Sequence, residues 1–145
     1  MDFPVLVKER IVQKKSIANF EQALEILGQP LIEGGYITES YLRGITDSLG
    51  KNGPYFVIAP KIALPHAQAQ GNVLALGLSV LRVEQAVTIF DREVNLFIML
   101  AAPDGDAHLK ILSRLVDVMD TEEKQEFLLA CPVEALQDIL LQDWK

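Results

Sequence analysis

One cysteine and two histidines are all that the chain holds of the side chains most used for soft-metal binding and covalent catalysis. A single thiol cannot close an internal disulfide, so Cys131, beside Pro132, reads as a small buried hydrophobe in a reducing compartment rather than as a nucleophile. Positive charge is scarce as well. Thirteen Lys and Arg against 20 Asp and Glu give a net charge of −7 and a pI near 4.8, which argues against a nucleic-acid backbone as partner. No apolar run approaches the roughly twenty residues needed to span a bilayer. Lys8, Glu9 and Arg10 stand where a signal peptide would need its apolar segment, so the expected location is the cytosol. Also missing are a Gly-x-x-x-x-Gly-Lys phosphate loop and any dinucleotide fingerprint, which speaks against direct use of ATP and leaves no cofactor to expect.

What remains fits a single domain over residues 1–145, half of it apolar and 23% charged. The hydrophobic period changes several times along the chain. Phe20, Ala23, Leu24, Leu27 and Leu31 recur at helical spacing and predict a helix over residues 18–33, stopped by Gly34 and Gly35. Thr38 is the expected cap of a second helix with Tyr41, Leu42, Ile45 and Leu49 on one face, ending in Gly50 to Gly53. Strands are expected over residues 55–59, closed by Pro60, and over the apolar runs 73–83 and 94–101, with a further short strand at 86–90. Beyond Pro103 the pattern turns helical, with Leu109, Leu112, Leu115, Val116 and Met119 on one side. Thr121 should cap another short helix, and Pro132 should open the last one, with Val133, Leu136, Ile139 and Leu140 inward. Helices before, strands in the middle and helices after imply an α/β fold, a mixed central sheet flanked on both faces by helices.

Chemistry concentrates at Ile62-Ala63-Leu64-Pro65-His66-Ala67. Pro65 fixes its own φ and drives Leu64 to an extended conformation, so the backbone entering His66 is stiff and the imidazole can be aimed. Small neighbours, Ala63 and Ala67, leave room for a bulky reactant. Imidazole is neutral and nucleophilic near physiological pH, which suits it to take and return a group; the competing reading is a structural histidine satisfied within apolar surroundings. His108 follows in Asp104-Gly105-Asp106-Ala107-His108, at the expected start of a helix, where unpaired N–H groups and the positive dipole end attract phosphoryl oxygens. His108 thus reads as a group that steadies an anion carried on His66, or as an exposed helix residue behind two capping aspartates. Asp-x-Asp-x-His also invites a metal site, but a helix start explains both aspartates and no third histidine exists to complete one, so no metal is expected.

The stretch Gly53-Pro54-Tyr55-Phe56-Val57-Ile58-Ala59-Pro60-Lys61-Ile62-Ala63-Leu64-Pro65-His66-Ala67 and the later His108-Leu109-Lys110-Ile111-Leu112 resemble the enzyme IIA domains of the bacterial phosphoenolpyruvate-dependent sugar phosphotransferase system. The resemblance is to the mannitol/fructose structural class, most of all to its ascorbate-type branch, and runs over about residues 18–140. It implies that His66 is phosphorylated by the histidine-containing phosphocarrier protein and passes the phosphoryl group to a cysteine of a IIB component, which serves a membrane IIC transporter. It further implies that His108 assists, that Pro65 and Ala67 shape the loop, and that the cognate sugar is ascorbate or a related compound. Where mannitol and fructose relatives carry an arginine, this chain has Gly50, with Lys51 beside it as the candidate phosphate contact. Lysine lacks the bidentate fork of arginine and could act only as a point charge. Gln68 and Gln70 also stand where many relatives place charged residues. Two rivals stand beside this reading: a regulatory phosphoprotein of the same fold, and a small metal-dependent hydrolase using His66, His108 and an aspartate. An exposed apolar patch of small groups around His66 is the expected docking surface.

Overall fold

The structure, a computed structural model, describes residues 3–142. A 3-10 turn over Lys8–Arg10 leads into strand β1 (Ile11–Lys14), followed by helices α1 (Phe20–Glu33) and α2 (Glu39–Asn52). Strands β2 (Val57–Ala59), β3 (Lys61–Ala63), β4 (Gly77–Ile89) and β5 (Arg92–Ala101) come next, then helices α3 (Gly105–Met119), α4 (Glu122–Ala130) and α5 (Val133–Leu141). The five strands form one sheet in the order β1-β4-β5-β3-β2. β1 runs parallel to β4 and β3 parallel to β5, while β4–β5 and β2–β3 are antiparallel. The expected mixed sheet covered on both faces is therefore present.

Each face of the sheet has its own core. Leu81, Val83, Phe97 and Met99 pack with Phe20, Leu24, Leu27 and Leu31 of α1 and with Tyr41 and Ile45 of α2. Leu78, Val80, Leu96, Ile98 and Leu100 point the other way, onto Ile111, Leu115, Leu128, Leu136 and Leu140 of the last three helices. Alternation along β5 is the ordinary consequence of period-2 side-chain geometry. Because both faces are dry, the central strands lose the polar half of that pattern and read as continuous apolar runs. Arg82 lies 6% exposed within the second layer, its guanidinium donating to Gln13 Oε1 (3.0 Å) and to the Leu128 carbonyl (2.9 Å), so β1, β4 and α4 share one buried polar tie.

Several elements differ from the sequence expectation. Residues 73–76 are not part of the long strand; Val73 makes only an isolated bridge to Ile37. The short strand expected at 86–90 is the continuation of β4, displaced by a register irregularity between Arg82 and Val87 that Asn95 covers by donating to the carbonyls of Val83 and Glu84. β2 begins at Val57, because Gly53 at φ +71° ends α2 and turns the chain through Tyr55 first. Pro60 does not end the sheet there: a tight turn with Lys61 at φ +70° starts β3 at once. Helix α1 starts at Phe20, capped by the Asn19 side chain on the Gln22 N–H (2.9 Å). Thr38 precedes α2, but its hydroxyl bonds Ser40 rather than the helix amides. Thr121 does cap α4. Pro132 stands at the cap position of α5 rather than in its first turn; Leu136 and Leu140 are buried, with Val133 and Ile139 half-buried. The buried face of α3 is Ile111, Leu115 and Met119, which leaves Leu109 and Val116 exposed.

Candidate functional site

The two histidines come from different layers of the molecule and meet at one end of the sheet. β3 delivers Leu64 and Pro65 into the interior, where the Leu100 N–H of β5 donates to the Pro65 carbonyl (3.1 Å) and fastens the loop to the sheet. His66 follows half-buried. Its Nδ1 lies 2.6 Å from the Leu64 carbonyl. A carbonyl only accepts, so Nδ1 carries the proton and Nε2 keeps the lone pair. Burial is the main reason the His66 pKa sits below the ordinary histidine value of 6.5, with the neighbouring His108 pushing the same way and the Leu64 bond opposing. A neutral, singly oriented imidazole is the result.

β5 ends at Ala101, and Ala102 and Pro103 carry the chain to Asp104, whose carboxylate caps α3 by accepting from the Ala107 N–H (2.8 Å). The first turn of that helix brings His108 to face His66, ring centroids 5.2 Å apart. The rings of His66 and Tyr55 meet in a T-shaped contact, centroids 5.5 Å apart at 78°. Both histidines line an open pocket of about 540 Å³, shared with Tyr41, Ser48, Asn52, Gln68, Ala69 and Gly105.

The sequence-predicted residues are thus brought together unequally. His66 and His108 line the pocket, Ala67 lines it too, and Pro65 is buried behind. Lys51 is exposed and stands outside the lining. Its helix presents Tyr41, Ser48 and Asn52 to the pocket, seven and four residues apart, and Lys51 lies about 100° round from Asn52. No lysine or arginine is among the described lining residues. Tyr41 and Tyr55, absent from the sequence reading of the site, hold the loop. The buried Tyr41 hydroxyl donates to the Leu100 carbonyl and accepts from the Ala67 N–H (3.2 Å), and burial pushes its pKa up to about 12. Tyr55 donates to the His66 carbonyl. Neither tyrosine stands out locally, because one sits on an amphipathic helix and the other in an aromatic-rich run; only the fold aims them here.

A nitrogen lone pair held at a pocket, with a second imidazole and a helix start beside it, is an arrangement chemically suited to covalent group transfer to histidine. The whole chain agrees with that class. Residues 4–143 match the family described as "Phosphoenolpyruvate-dependent sugar phosphotransferase system, EIIA 2", and the protein belongs to it. Members of this family are phosphotransferase carriers. Among curated relatives, the mannitol-specific cryptic phosphotransferase enzyme IIA component of Escherichia coli strain K12 is 34% identical over 128 residues, 86% of this chain and 87% of the relative. The ascorbate-specific EIIA component of the same strain is 26% identical over 144 residues, covering 92% of each. The solution structure of the E. coli cryptic mannitol enzyme IIA superposes with a TM-score of 0.86 at 32% identity, over 94% of this chain and 95% of that one. A complex of the E. coli mannitol IIA with phosphorylated IIB shares the fold, with a TM-score of 0.73 at 24% identity over 90% and 92% of the two chains.

Proposed function

We propose that His66 is the phosphoryl-carrying residue of this enzyme IIA protein. The observation that carries the proposal is the Nδ1–H bond to Leu64, which leaves Nε2 as the one ring nitrogen with a lone pair toward the pocket. The Nε2 lone pair attacks phosphorus on the phosphohistidine of the phosphocarrier protein; the new N–P bond forms as the old one breaks, and the departing imidazole leaves with its electron pair. In the second half a cysteine thiolate of the IIB component attacks the same phosphorus, an S–P bond forms and the bond to Nε2 breaks. The reaction needs alignment and charge stabilisation more than proton transfer. His108 and the Gly105 amide at the start of α3, with Ser48 and Asn52, are the donors for the equatorial oxygens. Asp104 is occupied as a cap.

The partners are the histidine phosphocarrier upstream, a IIB component downstream and, through it, a membrane IIC transporter; the mannitol relative solved with phosphorylated IIB supports the downstream step. Taken from the Gly53–Ala67 loop, the cognate solute is ascorbate or a related compound. Mannitol is the second reading, favoured by the 34% identity to a mannitol-named relative.

Incubation with phosphoenolpyruvate, enzyme I and the phosphocarrier, read by intact mass, tests the assignment. One acid-labile phosphoryl group on the wild type and none on His66→Ala is expected. A phosphorylated His66→Ala protein overturns it. Discharge of the phosphoprotein by purified ascorbate-type against mannitol-type IIB decides the solute.

A further inference from the structure

We propose that Tyr55 is the positioning residue that keeps the His66 ring in its transfer-competent setting, an inference resting on the reading of His66 as the phosphoryl carrier. Three contacts confine the imidazole: Leu64 holds Nδ1 at 2.6 Å, the His108 ring lies 5.2 Å from it and the Tyr55 ring meets it edge-on at 5.5 Å. Tyr55 alone also holds the backbone of His66, donating its phenol to the carbonyl of that residue. Ser48 of α2 lines the same pocket as Tyr55, so the tie from the phenol to the loop lies at the helix.

The placement is built rather than incidental. Gly53 turns the chain at positive φ and the Tyr55 N–H donates to the Gly53 carbonyl (2.8 Å). The adjacent Phe56 is wholly buried, stacked on Phe20 at 5.3 Å, and fixes the backbone from which Tyr55 projects. Tyr55 itself is 38% exposed. An aromatic so open to solvent contributes modestly to the core, and the His66 carbonyl lies where water would satisfy it anyway. What water does not supply is direction. With the phenol and ring edge removed, the imidazole gains room to turn about χ2, which breaks the Nδ1–Leu64 bond and moves the proton preference between the nitrogens. A misdirected Nε2 costs rate out of proportion to the small displacement.

Tyr55→Leu removes phenol and ring; Tyr55→Phe keeps the ring edge alone. Long-range 1H–15N correlation of the unphosphorylated protein should show one Nδ1–H tautomer for His66 in the wild type, a mixture or exchange-averaged signal in Tyr55→Leu, and an intermediate in Tyr55→Phe. Phosphoryl acceptance should slow about tenfold in Tyr55→Leu and less in Tyr55→Phe, at unchanged thermal midpoint. A wild-type tautomer in Tyr55→Leu overturns the proposal, whether or not the rate falls, since a rate loss alone would mark a partner contact. The spectra need no phosphoryl transfer, so phosphorylation of His66→Ala would sink the carrier reading while leaving the tautomer result to decide on Tyr55.

Discussion

His66 and His108 face each other across 5.2 Å, yet two different kinds of structure hold them. The His66 loop is fastened at successive residues: the Leu64 carbonyl to the ring, Pro65 to Leu100, the His66 carbonyl to Tyr55 and the Ala67 amide to Tyr41. His108 stands on the first turn of a helix whose start depends on the Asp104 cap. The difference matches the two tasks proposed for them. A nucleophile that must attack and then leave along one line needs a fixed direction, whereas a donor to an anion tolerates any approach within hydrogen-bond reach.

That contrast predicts unequal losses. His108→Ala should leave His66 phosphorylatable but slow onward transfer to IIB by about 10²-fold, the scale of losing one preorganised donor. His108→Gln, which restores an amide donor, should recover part of it. Single-turnover discharge separates the two; equal loss in Ala and Gln variants would mean that the imidazole acts by something other than donation. Tyr41→Phe attacks the other side. It leaves the buried Leu100 carbonyl without its donor and the half-buried Ala67 amide without its acceptor, so unfolding should become easier by about 1–3 kcal/mol in denaturant titration. Both half-reactions should slow, since Ala67 belongs to the nucleophile's loop; an unchanged acceptance rate would show that Pro65 and Leu64 suffice to hold His66.

Protonation sharpens the comparison more gently. Burial lowers the His66 pKa below 6.5, so Nε2 keeps its lone pair at pH values where a free imidazole has lost it. The acid limb of phosphoryl acceptance should therefore lie below the ordinary histidine value. For stability the sign is the reverse of a histidine that gains a carboxylate. Between the lowered folded pKa and the ordinary unfolded one, the unfolded chain binds more protons. The folded state thus loses stability as pH falls through that window and is unaffected by this group above it. Following the His66 ring proton by NMR against pH gives the midpoint directly, and a value above 6.5 would reverse both statements.

How much of this the chain announces depends on whether local chemistry or distant packing decides. Pro65-His66 and the capped start at Asp104 are local devices, and both histidines are where the sequence pattern points. The helices with strong caps or glycine stops, α1 and α4 above all, are legible for the same reason. β4 is not, because its bulge breaks the period-2 pattern at Glu84, Gln85 and Ala86, and a strand that crosses a register shift reads as two. β3 is hidden by its turn: Pro60 looks terminal unless the next residue takes a positive φ, as Lys61 does. The inward face of α3 is misread by the exposed Leu109 and Val116, apolar residues that sit outside the core. The tyrosine clamps depend on contacts 11 to 59 residues apart, which no local window contains.

Lys51 gives the smallest expected effect and the cleanest control on how the site manages charge. From the sequence it is the one cation near the position where relatives carry arginine, so a site that neutralises phosphate with a side-chain cation would depend on it. The helix geometry instead presents Ser48 and Asn52 to the pocket, and the described lining carries neither lysine nor arginine. In the proposed site a dianionic phosphoryl group among neutral donors and a helix start would be held by dipoles and hydrogen bonds. Lys51→Ala should then change acceptance and discharge by less than about twofold, within the range of a screened surface charge. Asn52→Ala, one residue along the helix, should slow both by several-fold through loss of a donor. A large Lys51 effect with an innocuous Asn52 would mean that α2 turns its lysine inward once phosphate is bound, and that the neutral cradle is not the state that transfers.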